Sequence, residues 1–157
     1  MKIKIQQKSY EEVQQLSRPK HRPPRKPWHL LSALIRVLSI PDLMATRFRY
    51  TVEGKLPKEP CLILMNHSSF IDLKIASKIF FPRRHCIVCT TDGMVGKNWL
   101  MRRIGCIPTQ KYVTDLTLIK DIRHALLKER VNVLMFPEAG YSFDGCATAL
   151  PDTLGAW

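Results

Sequence analysis

The chain has 157 residues, 45% of them hydrophobic and 24% charged, which is the make-up of an ordinary globular chain and excludes more than one domain. Its formal charge is +12 and uneven, because residues 1–60 hold 13 Lys/Arg against 5 Asp/Glu and alone carry +8. A basic end of this kind calls for an anionic partner, either phospholipid headgroups or nucleic acid.

Residues 1–17 are polar and mixed, with no apolar run of the kind a signal peptide needs. With an odd number of cysteines (five), this points to free thiols in a reducing compartment. Residues 18–27, Arg-Pro-Lys-His-Arg-Pro-Pro-Arg-Lys-Pro, form a basic arm whose four prolines exclude a regular helix and favour an extended, solvated segment. Such an arm serves either as a simple linker or as an electrostatic contact with acidic lipid. It carries no interleaved aromatics, and nucleic acid is therefore not expected as a partner.

From Trp28 to Ile40 the polar residues His29, Ser32, Arg36 and Ser39 recur at i, i+3, i+7 and i+10, and apolar residues fill the rest of the wheel. That predicts an amphipathic helix with a narrow polar stripe, closed by Pro41 and Asp42. The helix is too short, and too interrupted by Arg36, to span a bilayer. It fits a membrane interface, with Trp28 at headgroup level and the basic arm beside it, or else a place on the protein's own core. Residues 1–27, 28–46 and 47–157 thus read as tail, interface segment and α/β domain.

Arg47 to Val52 alternates like a strand leading to a Gly54 turn. Cys61 to Met65 is an unbroken apolar stretch, the mark of a buried strand. Asn66-His67-Ser68-Ser69-Phe70-Ile71-Asp72 follows, and then Leu73 to Phe80 with helical spacing. His67 and Asp72 therefore sit where a strand hands over to a helix. They can meet if His67 lies in the turn and Asp72 in the first helical turn. A neutral imidazole at a helix N-terminus can accept a proton, and a carboxylate on its other nitrogen would fix the tautomer. Ser69-x-x-Asp72 also matches a capping box, with Ser69 as N-cap, and the two readings are compatible.

His85 to Thr90 predicts a second strand. Within it Cys86 and Cys89 point to opposite faces and make a poor chelate, so no metal is expected. Asp92 to Gly96 reads as loop, Lys97 to Arg103 as a short basic helix, and Gly105 to Pro108 as a third strand or turn. Thr114 to Arg130 is helical, with Thr114 as cap and Leu116, Ile119, Ile122, Leu126 and Leu127 as its core face. Val131 to Phe136 is a fourth strand. The alternation predicts an α/β fold, a largely parallel sheet flanked by helices and preceded by the N-terminal amphipathic helix.

Asn66-His67-x-x-x-x-Asp72 resembles the Asn-His-x4-Asp signature of the glycerolipid acyltransferases, the lysophosphatidate (1-acylglycerol-3-phosphate) acyltransferase type. Gly105-Cys106-Ile107-Pro108-Thr109-Gln110-Lys111 resembles that family's second block, with Lys111 in place of a phosphate-holding arginine. Phe136-Pro137-Glu138-Ala139-Gly140 resembles its third, Phe-Pro-Glu-Gly, with Gly140 one place late and Tyr141 where an arginine often follows. The fourth block has no counterpart, which leaves the family domain incomplete after the third motif, with an open sheet edge.

The resemblance implies acyl transfer from acyl-CoA or an acyl-carrier protein to a lysophospholipid hydroxyl at the cytoplasmic face of a membrane, with no cofactor beyond the donor. His67 would be the base and Asp72 its orienting acid. Lys111, with Arg103 or Arg102 in a lesser part, would hold the phosphate, and Glu138 and Gly140 would shape the acceptor pocket. The anionic membrane surface would be the partner. The alternative is an inactive relative that only binds membrane surfaces.

Overall fold

The computed structural model describes residues 21–94, 96–110 and 115–138. Four strands, β1 (Leu62–Leu64), β2 (His85–Thr90), β3 (Cys106–Thr109) and β4 (Asn132–Met135), form one sheet in the order β1-β4-β2-β3. Every pairing is parallel. The helices are α1 (His29–Ala45), α2 (Ile71–Ile79), α3 (Asn98–Arg103) and α4 (Leu116–Leu127), and Thr91–Met94 makes a short 3-10 turn where a loop was expected. The α/β class with a parallel sheet and flanking helices is thus as the sequence predicts.

Alternation along the strands assigns the two sheet faces. Cys86, Ile107 and Val133 point to one side and meet Leu118, Ile122 and Ala125 of α4, with Leu62 and Val88 packed around them. Full burial of an aliphatic side chain such as Ile122 contributes roughly 1.5–3 kcal/mol. Leu134, one residue on from Val133, is fully buried on the other face. Asp115, rather than Thr114, caps α4: its carboxylate accepts from the Thr117 and Leu118 N–H groups at 2.9 and 3.4 Å. Thr114 itself lies outside the described residues.

Three expectations are corrected. Residues 47–52 pair with no strand among the described residues. Their alternation is real, and Phe48 and Tyr50 stack on one side at 5.7 Å, but Arg47 opens the segment at a positive φ of 47°, outside the extended region. The first helix runs through Pro41 to Ala45 instead of closing there. Asp42, beyond the proline, makes an ion pair with Lys74 of α2, so packing between α1 and α2 outweighs the hydrogen bond lost at the imide. The helix ends instead at Thr46, whose N–H reaches the Asp42 carbonyl, while the Arg47 N–H reaches that of Met44.

The basic arm is extended, but it is not merely solvated. Pro24 and Pro27 are buried while Arg22 and Arg25 face out, and His21 Nε2 reaches the Asp121 carboxylate on α4 at 3.0 Å. The inward residues recur every third position, the period of a polyproline helix. Its carbonyls are also held: Arg102 donates to the Arg22 and Pro23 oxygens at 3.0 and 2.7 Å, and Arg84 to Pro27 at 2.6 Å. Pro27 lies over Gly105, where φ is +91° and an added Cβ would come within 2.5 Å of the proline ring. Only glycine fits there. The arm is a strap across the amino end of the sheet.

The amphipathic helix turns its narrow polar stripe inward. Ser39 is buried and Arg36 is half-buried, donating to the Arg83 carbonyl at 3.1 Å. Leu30, Leu34, Val37, Leu38 and Met44 are exposed. Among the described residues, no helix is long and apolar enough to cross a membrane.

Candidate active site

β1 and β4 are neighbours and parallel, so the segments leaving their carboxyl ends emerge side by side. The Met65 N–H donates to the Met135 carbonyl at 3.1 Å, which carries the pairing one step past β1. At the other end of the same strands, the buried Asn132 accepts from the Cys61 N–H at 3.0 Å and fixes the register. The chain then turns through Asn66 to Phe70 into α2, whose first turn contains Asp72.

His67 and Asp72 meet there, Nδ1 to Oδ2, at 2.9 Å. Both side chains are largely enclosed, 20% and 13% exposed. The same Asp72 oxygen accepts from the Ser68 and Ser69 N–H groups at 2.7 and 2.9 Å. One carboxylate oxygen therefore caps α2 and grips the imidazole together, so the capping and pairing readings hold at once. The cap differs in detail from the expected box. α2 begins at Ile71 after Phe70, and the Ser69 hydroxyl accepts from the Ile71 N–H at 3.3 Å.

Burial would raise the Asp72 pKa, but hydrogen bonds from the Ser69 N–H, the His67 ring and the Ser68 N–H outweigh it. They hold the carboxyl below its usual range. Ionised, Asp72 can only accept, so His67 Nδ1 carries the proton and Nε2 is the ring's lone-pair nitrogen. The pair can take a proton from a bound hydroxyl and steady the imidazolium that results.

Phe136, immediately after β4, stacks on the His67 ring with centroids 4.1 Å apart and planes 24° from parallel. It fixes the imidazole from the side that Asp72 does not. Sequence reading placed Phe136 in a strand and in the Phe-Pro-Glu block but assigned it no contact with the histidine. The signal was two blocks each ending an apolar strand, and it becomes a contact only once those strands are known to be neighbours. Glu138, two residues further on, is half-buried at the same end of the sheet.

Among the described residues, Arg102 and Arg103 are not brought to this cluster. Lys111 and Gly140 lie outside the described residues. β3, which leads to Lys111, is the edge strand furthest from β1. Arg103 closes α3 just before β3 and so stands at the amino end of the sheet. Its guanidinium lies between the Trp28 and Trp99 rings, 3.7 and 4.1 Å from their centroids, and its carbonyl accepts from the Trp28 N–H at 3.0 Å. Arg102 is bound to the strap. Both arginines dock the N-terminal segment onto the sheet.

Neither a curated protein nor a solved structure matches the chain. The acyltransferase family model matches residues 47–155, a span that takes in all four strands, the His67–Asp72 pair and Phe136. On that match, the chain belongs to the acyltransferase family.

Proposed function

We propose that this acyltransferase moves a fatty acyl group from acyl-CoA or an acyl-carrier protein to the free hydroxyl of 1-acylglycerol-3-phosphate, a step of phospholipid biosynthesis. The observation that carries the reading is the enclosed His67–Asp72 pair with Phe136 on its face. His67 Nε2 takes the hydroxyl proton as the oxygen attacks the thioester carbonyl. The tetrahedral intermediate then collapses, the carbon–sulfur bond breaks, and the leaving thiolate takes the proton back from the imidazolium. Ester and free thiol are the products, and no acyl-enzyme is formed. No metal or other cofactor is needed.

Asp72 orients His67 throughout. Lys111 holds the acceptor's phosphate as a point charge, and Glu138 and Gly140 shape the acceptor pocket. Arg103, held between two indoles at the far end of the sheet, has no part in this reading. The outward apolar face of α1 supports a peripheral place on the cytoplasmic face of an anionic membrane, where both substrates keep their tails.

The test is acceptor-dependent thiol release from acyl-CoA in detergent micelles, wild type beside His67→Ala. Release that depends on 1-acylglycerol-3-phosphate and vanishes in the variant supports the reading. A folded wild type that releases no thiol with this or related acceptors, or with an acyl-carrier donor, sinks it in favour of a membrane-binding relative without activity. That second reading draws its support from the same exposed α1 face.

A further inference from the structure

At the amino end of the sheet, β1, β4 and β2 begin around an open cleft of about 360 Å³. Lys26, Lys58, Arg83, Arg84 and Arg130 line it, together with His29. β1 and its flanking residues, at about 3.3 Å per residue, put this cleft on the order of 20 Å from His67. It is therefore a second place on the molecule, not a part of the first.

Most of the charges in the cleft have no carboxylate partner among the described residues, and two are oriented by backbone carbonyls. Arg84 donates to the Pro27 carbonyl and Arg83 to the Pro57 carbonyl, contacts that aim a guanidinium but leave its charge intact. Arg130 is paired with Glu59 at 2.6 Å. Lys26 and Lys58 have no carboxylate partner among the described residues. Glu129 is held beside the cleft through the backbone, accepting from the Lys26 N–H at 3.0 Å. Like charges crowd the rim as well: Arg36 is shifted below its usual range, first by burial and then by Arg84. Finally, α1 opens beside the cleft at His29 with no side chain capping its first turn, so a helix dipole adds positive potential.

We propose that this cleft is a binding site for a phosphate-bearing anion, a phosphomonoester or diphosphate group. Two guanidinium groups held by backbone carbonyls present planar donors suited to phosphate oxygens, and two flexible ammonium groups close over them. The volume exceeds that of a single phosphate and admits the group attached to it. The phosphate can be borne by a lipid or be free in solution. For a lipid, the outward apolar face of α1 beside His29 supplies the surface on which the tail would lie.

The test uses the full chain with inorganic pyrophosphate as the soluble probe, in calorimetric titrations at low salt, and no thioester present. In parallel, co-flotation is measured with phosphatidylcholine vesicles with and without phosphatidic acid. The cleft variant is Lys26→Gln with Lys58→Gln. The control is Lys97→Gln with Lys120→Gln, which removes the same charge from exposed positions elsewhere. Loss of two close cations from a phosphate site weakens binding by about tenfold or more, while the control stays near wild type. Cleft-dependent pyrophosphate binding without cleft-dependent flotation assigns a soluble phosphate. Cleft-dependent retention on phosphatidic acid vesicles assigns a lipid headgroup. If neither probe binds, or if both variants lose equally, the cleft is only a share of the net charge and the proposal falls. Urea unfolding of each variant confirms that the surface substitutions leave the fold in place. Because no acyl donor is involved, this result stands or falls apart from the acyl-transfer reading.

Discussion

At the carboxyl end of the sheet, one histidine and one carboxylate meet at 2.9 Å under an aromatic ring. At the amino end, five Lys/Arg side chains surround a cleft; backbone carbonyls hold two of them, and one is paired with a carboxylate. The first arrangement sets the state of a single proton. The second builds a field and sets no proton. The contrast separates chemistry from recognition within one short sheet: a reacting pair needs matched partners, whereas an anion site needs cations whose charge has been left unspent.

Breaking the carboxyl end has the largest expected effect. His67→Ala removes the proposed base and lowers the acceptor-dependent rate of thiol release by about 10²–10⁴-fold, with little change in the urea midpoint. Asp72→Asn lowers both, since it loses the tautomer lock and the α2 cap together; the cap alone is worth about 1 kcal/mol.

The amino end answers to pH. Burial, and after it the charge of Arg36, push His85 down to about 4. An unfolded histidine titrates near 6.5, so below that pH the unfolded chain binds a proton that the folded chain refuses until about pH 4. Stability is therefore lost as pH falls through this window, by up to about 3 kcal/mol from this group. Urea unfolding at pH 7 and pH 5 measures the loss, and His85→Leu should flatten the pH dependence. An unchanged slope in that variant would assign the loss to other groups.

A smaller effect is expected where the strap crosses the sheet. Gly105→Ala places a Cβ against Pro27 at positive φ and costs about 1–3 kcal/mol. The loss should appear in urea unfolding, and cleaving the arm by limited proteolysis should become easier. The smallest effect belongs to Phe136→Leu. Stacking of this kind is worth about 0.5–1.5 kcal/mol, so kcat should fall by about two- to tenfold with KM nearly unchanged. A KM change alone would mean that Phe136 touches substrate and does not position His67.

What the sequence made legible follows from how local each feature is. Strand β2 falls on His85–Thr90 as expected, because an apolar run bounded by turn residues needs no partner to be recognised. The His67–Asp72 pair was legible for the same reason: six residues of chain hold both groups. Residues 47–52 have the alternation of a strand but pair with none among the described residues, a fact no local pattern contains. The Trp28 helix displayed its two faces in the sequence, but which one turned inward depended on Arg83 and Lys74, far along the chain. Arg103 looked like a free cation beside the second block until Trp28 came to lie on it. Phe136 needed the strand order before its ring could be placed against a histidine 69 positions earlier in the chain.

The strap also covers a thiol. Cys86 is fully buried, its sulfur lies 3.7 Å from the Arg25 carbonyl, and Pro27 packs close to its backbone. Burial, and after it the charge of Glu129, push the thiol up to about 12, so at pH 8 only about one molecule in ten thousand carries the reactive thiolate. While the strap is down and α4 is packed, Cys86 is chemically silent; an opening that lifts the strap and loosens the core beside it would bring the thiol to water and to an ordinary reactivity. The alkylation rate of this one cysteine is thus a clock for that opening. A ligand that bound Lys26 in the cleft would slow it.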